Sequence, residues 1–392
     1  MSFVLGVLQS IIASFIFAVY GAEKKTASKN AFTERAKNFH SEISPNLLEN
    51  IIPLRLPNVA KKLHEEIIHN DPITFAYIDL YRGKDITISR SLQTNISNFS
   101  VNEKFITWLK DELGKRLTND PTFSLNSVST ENKLSLSVGS YFETLSTSDI
   151  HYFNLIRYFP LKSGVGCYFA YKHSKYVTNW LNALERVSEA NMFSHYCASV
   201  GCSVLTVLKS SDEQYKYLLK TNSEEKNSAG DRHVVPSFMF QPISKRITEQ
   251  ERELSLELNV IKEYGEELLG MDELEEADTF DALMQNMLEN KQLKKLYSLI
   301  KNKKAHLEIT GFIIDIYRLR PEITFLLIIH DDKFSKNIKT NWETERRSLD
   351  MVKLNDDNAY YEILKSTDTP LCSPGVAALI NGRSRALSLL GK

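Results

Sequence analysis

The sequence lacks several features common to enzymes and nucleic-acid-binding proteins. Its four cysteines include no CxxC pair, so neither a zinc ribbon nor a disulfide framework is supported. It contains no P-loop, no serine or cysteine hydrolase motif and no internal repeat. With 48 Lys and Arg against 49 Asp and Glu, it also lacks the positive excess of a protein that coats nucleic acid. We therefore expect no DNA or RNA polymer as a partner.

The N-terminal segment has no charged residue between positions 2 and 22, and most of its residues are aliphatic or aromatic. An α-helix rises about 1.5 Å per residue, so roughly 20 such residues cross the hydrocarbon layer of a bilayer. Lys24, Lys25 and Lys29 follow, which favours a cytoplasmic location for the rest of the chain. The pattern predicts a single-pass membrane helix, with a cleaved signal peptide or a buried core helix as alternatives.

The remaining residues are long enough for two domains and contain the apolar residues that a core needs. Their periodicity predicts an α+β fold class, with strands at 202–208, 214–220, 307–317 and 323–329, a hairpin from 73–78 and 86–88, and a helix over 250–269. The predicted organisation is a transmembrane helix (1–22), a linker (23–45), an α+β region (46–194), a second domain (195–370) and a C-terminal helix (371–392).

Three acidic residues on the long predicted helix form the candidate metal site. Glu263, Glu266 and Glu267 stand at positions i, i+3 and i+4, so their side chains project from the same side of a helix. Carboxylate oxygens are the ligands that Mg²⁺ prefers, and a bound cation offsets the repulsion between like charges. The alternative is an acidic face exposed to solvent, because acidic residues are abundant throughout 249–278.

Residues 262–270, KEYGEELLG, resemble the core of the Nudix box, R-E-U-x-E-E-x-G-U. Lys262 stands in the place of the arginine, and Glu263, Glu266 and Glu267 occupy the metal-binding places. The resemblance implies a Nudix-like α/β/α domain over 195–370 that uses Mg²⁺ if it is active.

The box departs from the family pattern at several positions. Gly270 falls one place later than the family's glycine, Leu254 stands where an upstream glutamate is expected, with Glu253 beside it, and Thr248 replaces the leading glycine. These departures favour retention of the fold over retention of hydrolysis.

Four arginines are candidate ligands for phosphate, because a guanidinium can contact a phosphate group through two N–H groups. Arg318 and Arg320 lie between two predicted strands, and Arg82 and Arg90 lie in or near the predicted hairpin. Exposure to solvent at the surface is the alternative for all four.

The predicted order of a membrane helix and a Nudix-like domain resembles that of the transmembrane-Nudix effectors of CBASS, the cyclic-oligonucleotide antiphage signalling of bacteria. The resemblance implies an inner-membrane effector whose cytoplasmic domain binds a cyclic oligonucleotide, forms a homo-oligomer and disrupts the lipid bilayer. Two alternatives stay open: a membrane-tethered Nudix hydrolase of a nucleoside diphosphate derivative, and an interaction protein with an inactive Nudix scaffold.

Overall fold

The computed structural model of the chain describes most of it from residue 44 onward. The described residues are Phe32, Arg35, Ala36, Phe39, 44–336 and 349–391, without 69–70, 83–85, 94–98, 116, 159–173, 188–192, 194–195, 222–231, 245, 272–278 and 367–368. The predicted transmembrane helix, 1–22, lies outside the described residues, as does most of the predicted linker, 23–45.

Twelve strands and nine longer helices make up the described part of the chain. The strands are β1 (Leu63–Ile68), β2 (Asp71–Arg82), β3 (Thr87–Ile88), β4 (Pro121–Val128), β5 (Lys133–Ser140), β6 (Gly201–Lys209), β7 (Tyr215–Thr221), β8 (Arg232–Val234), β9 (Ser237–Met239), β10 (Ala305–Asp315), β11 (Arg320–Ile329) and β12 (Leu349–Lys353). The helices are α1 (Glu103–Asp111), α2 (Ile150–Tyr158), α3 (Lys175–Val187), α4 (Ile247–Arg252), α5 (Leu256–Leu268), α6 (Phe280–Glu289), α7 (Lys291–Lys301), α8 (Asp357–Lys365) and α9 (Ser373–Leu389). Shorter helical segments are Ser44–Asn46, Leu47–Ile51, Ile52–Arg55, Pro57–Ala60, Tyr141–Thr144, Leu145–Asp149 and Asp332–Ser335.

Nine of the described strands form one mixed sheet. Its order is β1-β2-β10-β11-β6-β7-β12, with β8 paired to β7 and β9 paired to β6. Strands β11 and β6 are parallel, and the other pairs in this sheet are antiparallel. The remaining three strands form a smaller sheet in the order β3-β5-β4.

Both faces of the large sheet are covered by helices. Successive side chains of a strand point to opposite faces, so each buried strand contributes apolar residues to both cores. In β11, Phe325 and Leu327 belong to the core on one face, which includes Tyr264 of α5. Leu326 and Ile328 belong to the core on the other face, where α9 packs. The result is a mixed α/β fold with helices on both sides of the sheet.

Helix α9 lies very close to the centre of the sheet. A Cβ atom added at Gly382 would come within 2.8 Å of the Leu205 Cδ2 atom of β6. The absent side chain therefore permits the helix backbone to approach the strand.

The strands flanking the candidate box are confirmed, whereas the predicted hairpin is wrong. Strand β2 pairs with β1 and β10, and β3 pairs with β5 in the smaller sheet. Period-2 alternation identifies a strand but not its partner, and here both partners of β2 lie elsewhere. The large sheet consequently takes strands from both sides of the predicted boundary at 194/195.

The long helix predicted over 250–269 is two helices, α4 and α5. Between them, the Glu253 carboxylate accepts hydrogen bonds from the backbone N–H groups of Ile243 and Ser244, at 2.6 and 2.9 Å. The Ser255 side chain then accepts from the N–H of Leu258 and caps the start of α5. These polar contacts interrupt the helix although the apolar spacing continues through it.

The predicted transmembrane fold class needs a correction. Among the residues that the structure describes, no helix combines the length and the apolar character needed to cross a bilayer. The longest of the described helices is α9, with 17 residues. It contains Arg383 and Arg385, and its apolar residues pack on the sheet. For the described part of the chain, the predicted fold class is therefore corrected to a mixed α/β fold without a membrane-spanning helix, and the single-pass inner-membrane localisation is not retained below.

Candidate functional site

Two of the predicted arginines lie on the tight turn that joins β10 to β11. Asp315 ends β10 and pairs with Arg320, the first residue of β11, while Leu319 between the arginines has a positive φ of 54°. The Asp315 carboxylate accepts hydrogen bonds from the backbone N–H groups of Tyr317 and Arg318, at 2.9 and 3.4 Å. This Asx-type turn holds Arg318 and Arg320 together at one end of the sheet.

The two guanidinium groups converge on one carboxylate, that of Asp149. Arg320 Nη1 lies 3.4 Å from Asp149 Oδ2, and Arg318 Nη1 lies 3.7 Å from the same oxygen. Asp149 is 1% exposed, and it ends the π-helical turn Leu145–Asp149, directly before α2. Asp149 Oδ2 is therefore shared by two guanidinium groups. The acceptor Asp149 Oδ1 and the donor Arg320 Nε, both close to it, are buried and have no hydrogen-bond partner among the described residues.

Glu322 adds a second acidic group to this end of the sheet. Its carboxylate lies over Gly201 of β6, where a Cβ atom would come within 2.0 Å of Glu322 Oε1. The Ser203 hydroxyl donates a hydrogen bond of 3.4 Å to it. Burial raises the pKa of Glu322 to about 7, although Arg320 opposes the shift. This carboxyl group therefore titrates near neutral pH.

The acidic residues of the candidate Nudix box lie on α5, and lysines neutralise two of them. Glu263 Oε1 lies 2.7 Å from Lys262 Nζ, and Glu267 Oε2 lies 2.5 Å from Lys220 Nζ at the end of β7. Burial raises the pKa of Glu263, and the neighbouring Lys262 works against that shift. Glu266 also has an interaction with another residue. The box acids are thus part of a network of charge pairs.

The charge pairs of α5 and the arginine turn share one electrostatic environment. The Cys202 thiol on β6 has its pKa raised by burial, and the carboxylates of Glu322 and Glu263 both add to the rise. Burial, together with the positive charges of Lys220 and Arg318, lowers the pKa of His233 on β8 to about 3. We define the sheet-end cluster as Asp149, Arg318, Arg320, Glu322, Lys220, Lys262, Glu263 and Glu267.

The metal prediction for Glu263, Glu266 and Glu267 gains no support from this arrangement. Throughout the described ranges, no group of three or more His, Cys, Asp or Glu side chains is arranged to hold a metal ion. A lysine beside Glu263 and another beside Glu267 supply the positive charge that a cation would otherwise bring. The metal site at these three residues therefore stays a prediction.

The other two predicted arginines lie away from the cluster. Arg82 pairs with Gly311 of β10, four residues along the strand from Asp315, which corresponds to about 14 Å. Arg90 is exposed, in the bend that follows β3 of the smaller sheet. The structure therefore brings together Arg318 and Arg320 and separates them from Arg82 and Arg90.

Three residues of the cluster were missed by the sequence reasoning. Glu322 carried a signal, since it is a charged residue at the start of an otherwise apolar strand. Lys220 ends a predicted strand, which is an ordinary place for a charged residue. Asp149 had no signal in the sequence, because its partners are 169 and 171 positions away in the chain, as the numbering of Arg318 and Arg320 shows.

Comparison with solved structures gives a weak structural similarity to a Nudix hydrolase. The chain resembles the crystal structure of a Nudix hydrolase from M. smegmatis, RenU, with 9% sequence identity and a TM-score of 0.21, over 49% of this chain and 87% of that chain. No protein-family model and no curated protein matches the sequence. A TM-score of this size carries no argument about activity, so the case for function depends on the geometry of this chain.

Proposed function

We propose that the protein binds a nucleotide and that the sheet-end cluster contacts its phosphate groups. The observation that carries the proposal is the convergence of Arg318 and Arg320 on one oxygen of Asp149, next to a buried Arg320 Nε without a partner in the described chain. Guanidinium groups bind phosphate through paired N–H groups, and two of them on one turn provide a larger positive surface than one.

Binding without hydrolysis is the form of the proposal that agrees best with the box helix. Metal-assisted hydrolysis requires carboxylates that are available to a cation. Glu263 and Glu267 instead make close ion pairs with Lys262 and Lys220, all four side chains being at most 14% exposed. A metal ion that binds Glu263 or Glu267 must first separate these buried ion pairs. Its binding must then offset the free energy of the contacts that are lost.

A cyclic oligonucleotide is the ligand class that we propose first, because the sequence resemblance implies it and because its phosphodiesters are anionic. Membrane disruption is not part of the proposal, since the membrane-spanning helix is not supported. The homo-oligomer and the antiphage effector role stay predictions.

Calorimetric titration of the full chain tests the proposal. The ligands are cyclic dinucleotides, cyclic trinucleotides and ATP, each at fixed ionic strength, and the variants are Arg318→Ala and Arg90→Ala. We expect at least one nucleotide to bind the unmodified chain and to lose about tenfold or more in affinity with Arg318→Ala. Arg90→Ala is the matched control, because it removes the same charge from an exposed position outside the cluster. Equal losses in both variants would show non-specific charge attraction.

A hydrolysis assay separates binding from catalysis. Each nucleotide that binds is incubated with the protein and Mg²⁺, and products are separated by chromatography. We expect no turnover by the unmodified chain and no change with Glu263→Gln. Metal-dependent turnover that Glu263→Gln abolishes would favour a Nudix hydrolase instead.

A further inference from the structure

We propose that the Asp149 carboxylate occupies a phosphate subsite, so that an anionic ligand binds Arg318 and Arg320 by displacing Asp149. This inference rests on the proposed function, because it concerns the same cluster. It adds that Asp149 competes with the ligand and sets the affinity of the site.

The ion-pair geometry supports a displaceable contact. Charge-assisted N–H···O bonds are ordinarily about 2.7–2.9 Å long. The two contacts of Asp149 are 3.4 and 3.7 Å long and use the same oxygen. Its other oxygen, Oδ1, and Arg320 Nε have no partner among the residues described. Both sides of this contact have unused hydrogen-bonding capacity, which a phosphate with several oxygens can satisfy better.

Asp149 lies at an irregular point of the backbone. It ends a π-helical turn, Leu145–Asp149, between a short α-helix and α2. Such turns are wider than the α-helix, are rare, and are frequently found at functional sites. The neighbouring Ser148 hydroxyl donates to the backbone carbonyl of Cys197 at 3.2 Å, so the turn itself is anchored while Asp149 points to the arginines.

The other acids near the arginines are poor competitors for them. The Asp315 carboxylate is occupied by two backbone N–H groups of its own turn. Glu322 has a pKa near 7 because of its burial, so part of its population is uncharged at neutral pH. Asp149 is therefore the charge whose removal makes the cluster most attractive to an anion.

The test is a titration of inorganic pyrophosphate into the full chain and its Asp149→Asn variant. The amide keeps the shape of the side chain and removes its charge. We expect Asp149→Asn to bind pyrophosphate about tenfold more tightly than the unmodified chain, and the gain to disappear in the double variant with Arg318→Ala. The matched control is Asp357→Asn, which neutralises the aspartate partner of Arg383. That control is expected to leave pyrophosphate binding unchanged.

Equal or weaker binding by folded Asp149→Asn would overturn the inference. Should this variant not fold, Asp149→Glu provides the second measurement, because its longer arm keeps the charge and reaches closer to the arginines. We expect it to bind pyrophosphate more weakly than the unmodified chain, and equal or tighter binding would count against displacement. The two proposals fail differently: a nucleotide that binds and is lost with Arg318→Ala supports the proposed function even when both Asp149 variants behave like the unmodified chain.

Discussion

Two regions of the molecule bury an arginine against an aspartate, and they do so in different ways. On α9, Arg383 donates to Asp357 at 2.5 Å and to the backbone carbonyl of Leu354 at 2.9 Å, and its guanidinium lies 4.3 Å from the Tyr360 ring centroid. At the end of the sheet, Arg320 reaches Asp149 only at 3.4 Å. The two arginines are equally buried, at 7% and 8% exposure. The burial of the arginine side chain therefore does not explain the difference in geometry.

The difference separates a structural contact from a candidate binding contact. Arg383 has separate, short acceptors, so its hydrogen bonds stabilise the packing of α9 against the segment before α8. Arg318 and Arg320 share one carboxylate oxygen, Arg320 has only the weak Met239 Sδ acceptor besides it, at 3.2 Å, and Asp149 Oδ1 and Arg320 Nε have no partner in the described chain. Unsatisfied buried polar atoms cost stability, so each requires an explanation, and a binding role is one such explanation.

Removal of Arg383 should have the largest effect on stability. We expect Arg383→Met to lower the free energy of unfolding by about 3 kcal/mol, because the buried Leu354 carbonyl loses its donor and the contact with Tyr360 is lost. Urea unfolding at pH 7 measures the change.

The matched control is Arg385→Met, two positions further along the same helix. Arg385 pairs with Glu308, and its side chain is 48% exposed. Exposed pairs of this kind contribute less than about 1 kcal/mol. Similar losses in the two variants would contradict the structural role assigned to Arg383.

A smaller effect, of about 2 kcal/mol, is expected at Glu322 and should depend on pH. The pKa of Glu322 is raised to about 7 by burial, from 4.5 for an ordinary glutamate. Between these values the folded chain keeps a proton that the unfolded chain releases, so the stability from this group is complete below pH 4.5 and lost as pH rises to about 7. Glu322→Gln removes that loss.

Unfolding of Glu322→Gln and the unmodified chain should therefore be compared at pH 5, 6, 7 and 8. The stability advantage of the variant should grow with pH and level off above pH 7. Glu131→Gln, in the exposed turn between β4 and β5, is the control and should show no such trend. An advantage that stays constant from pH 5 to 8 would mean that the Glu322 carboxyl group does not titrate in this window.

The sequence predicted local structure better than it predicted the site. Apolar alternation located β6, β7, β10 and β11 because buried strands carry that signal within a few residues. Pairing partners are set by packing across the whole chain, so the assignment of 86–88 as the hairpin partner of 73–78 failed. The uncharged stretch at 2–22 describes composition, and composition alone does not place a segment in lipid.

The cluster could be predicted only in part for the same reason. Arg318 and Arg320 were identified because adjacent arginines on a turn are visible in the sequence. Asp149 was not, since its contact with them arises when α2 packs near the β10–β11 turn. The lysine partner of Glu267 was also missed: the acidic spacing predicted metal ligands, whereas Lys220 comes from a different element of the fold.

The smallest stability effect is expected from Arg318→Met, and this variant sharpens the comparison with Arg383. The Arg318 side chain is 23% exposed and lies 3.7 Å from Asp149, which keeps its contact with Arg320 when Arg318 is replaced. The contact of its guanidinium with the Tyr152 ring, 4.8 Å from the centroid, is the main packing that is lost. We therefore expect a decrease of about 1 kcal/mol in the free energy of unfolding, because Asp149 keeps Arg320 as its partner, together with loss of nucleotide binding by calorimetry. If Arg318→Met lowers the free energy of unfolding as much as Arg383→Met does and leaves nucleotide binding unchanged, the role of Arg318 is structural. Arg318 would then not contact the nucleotide.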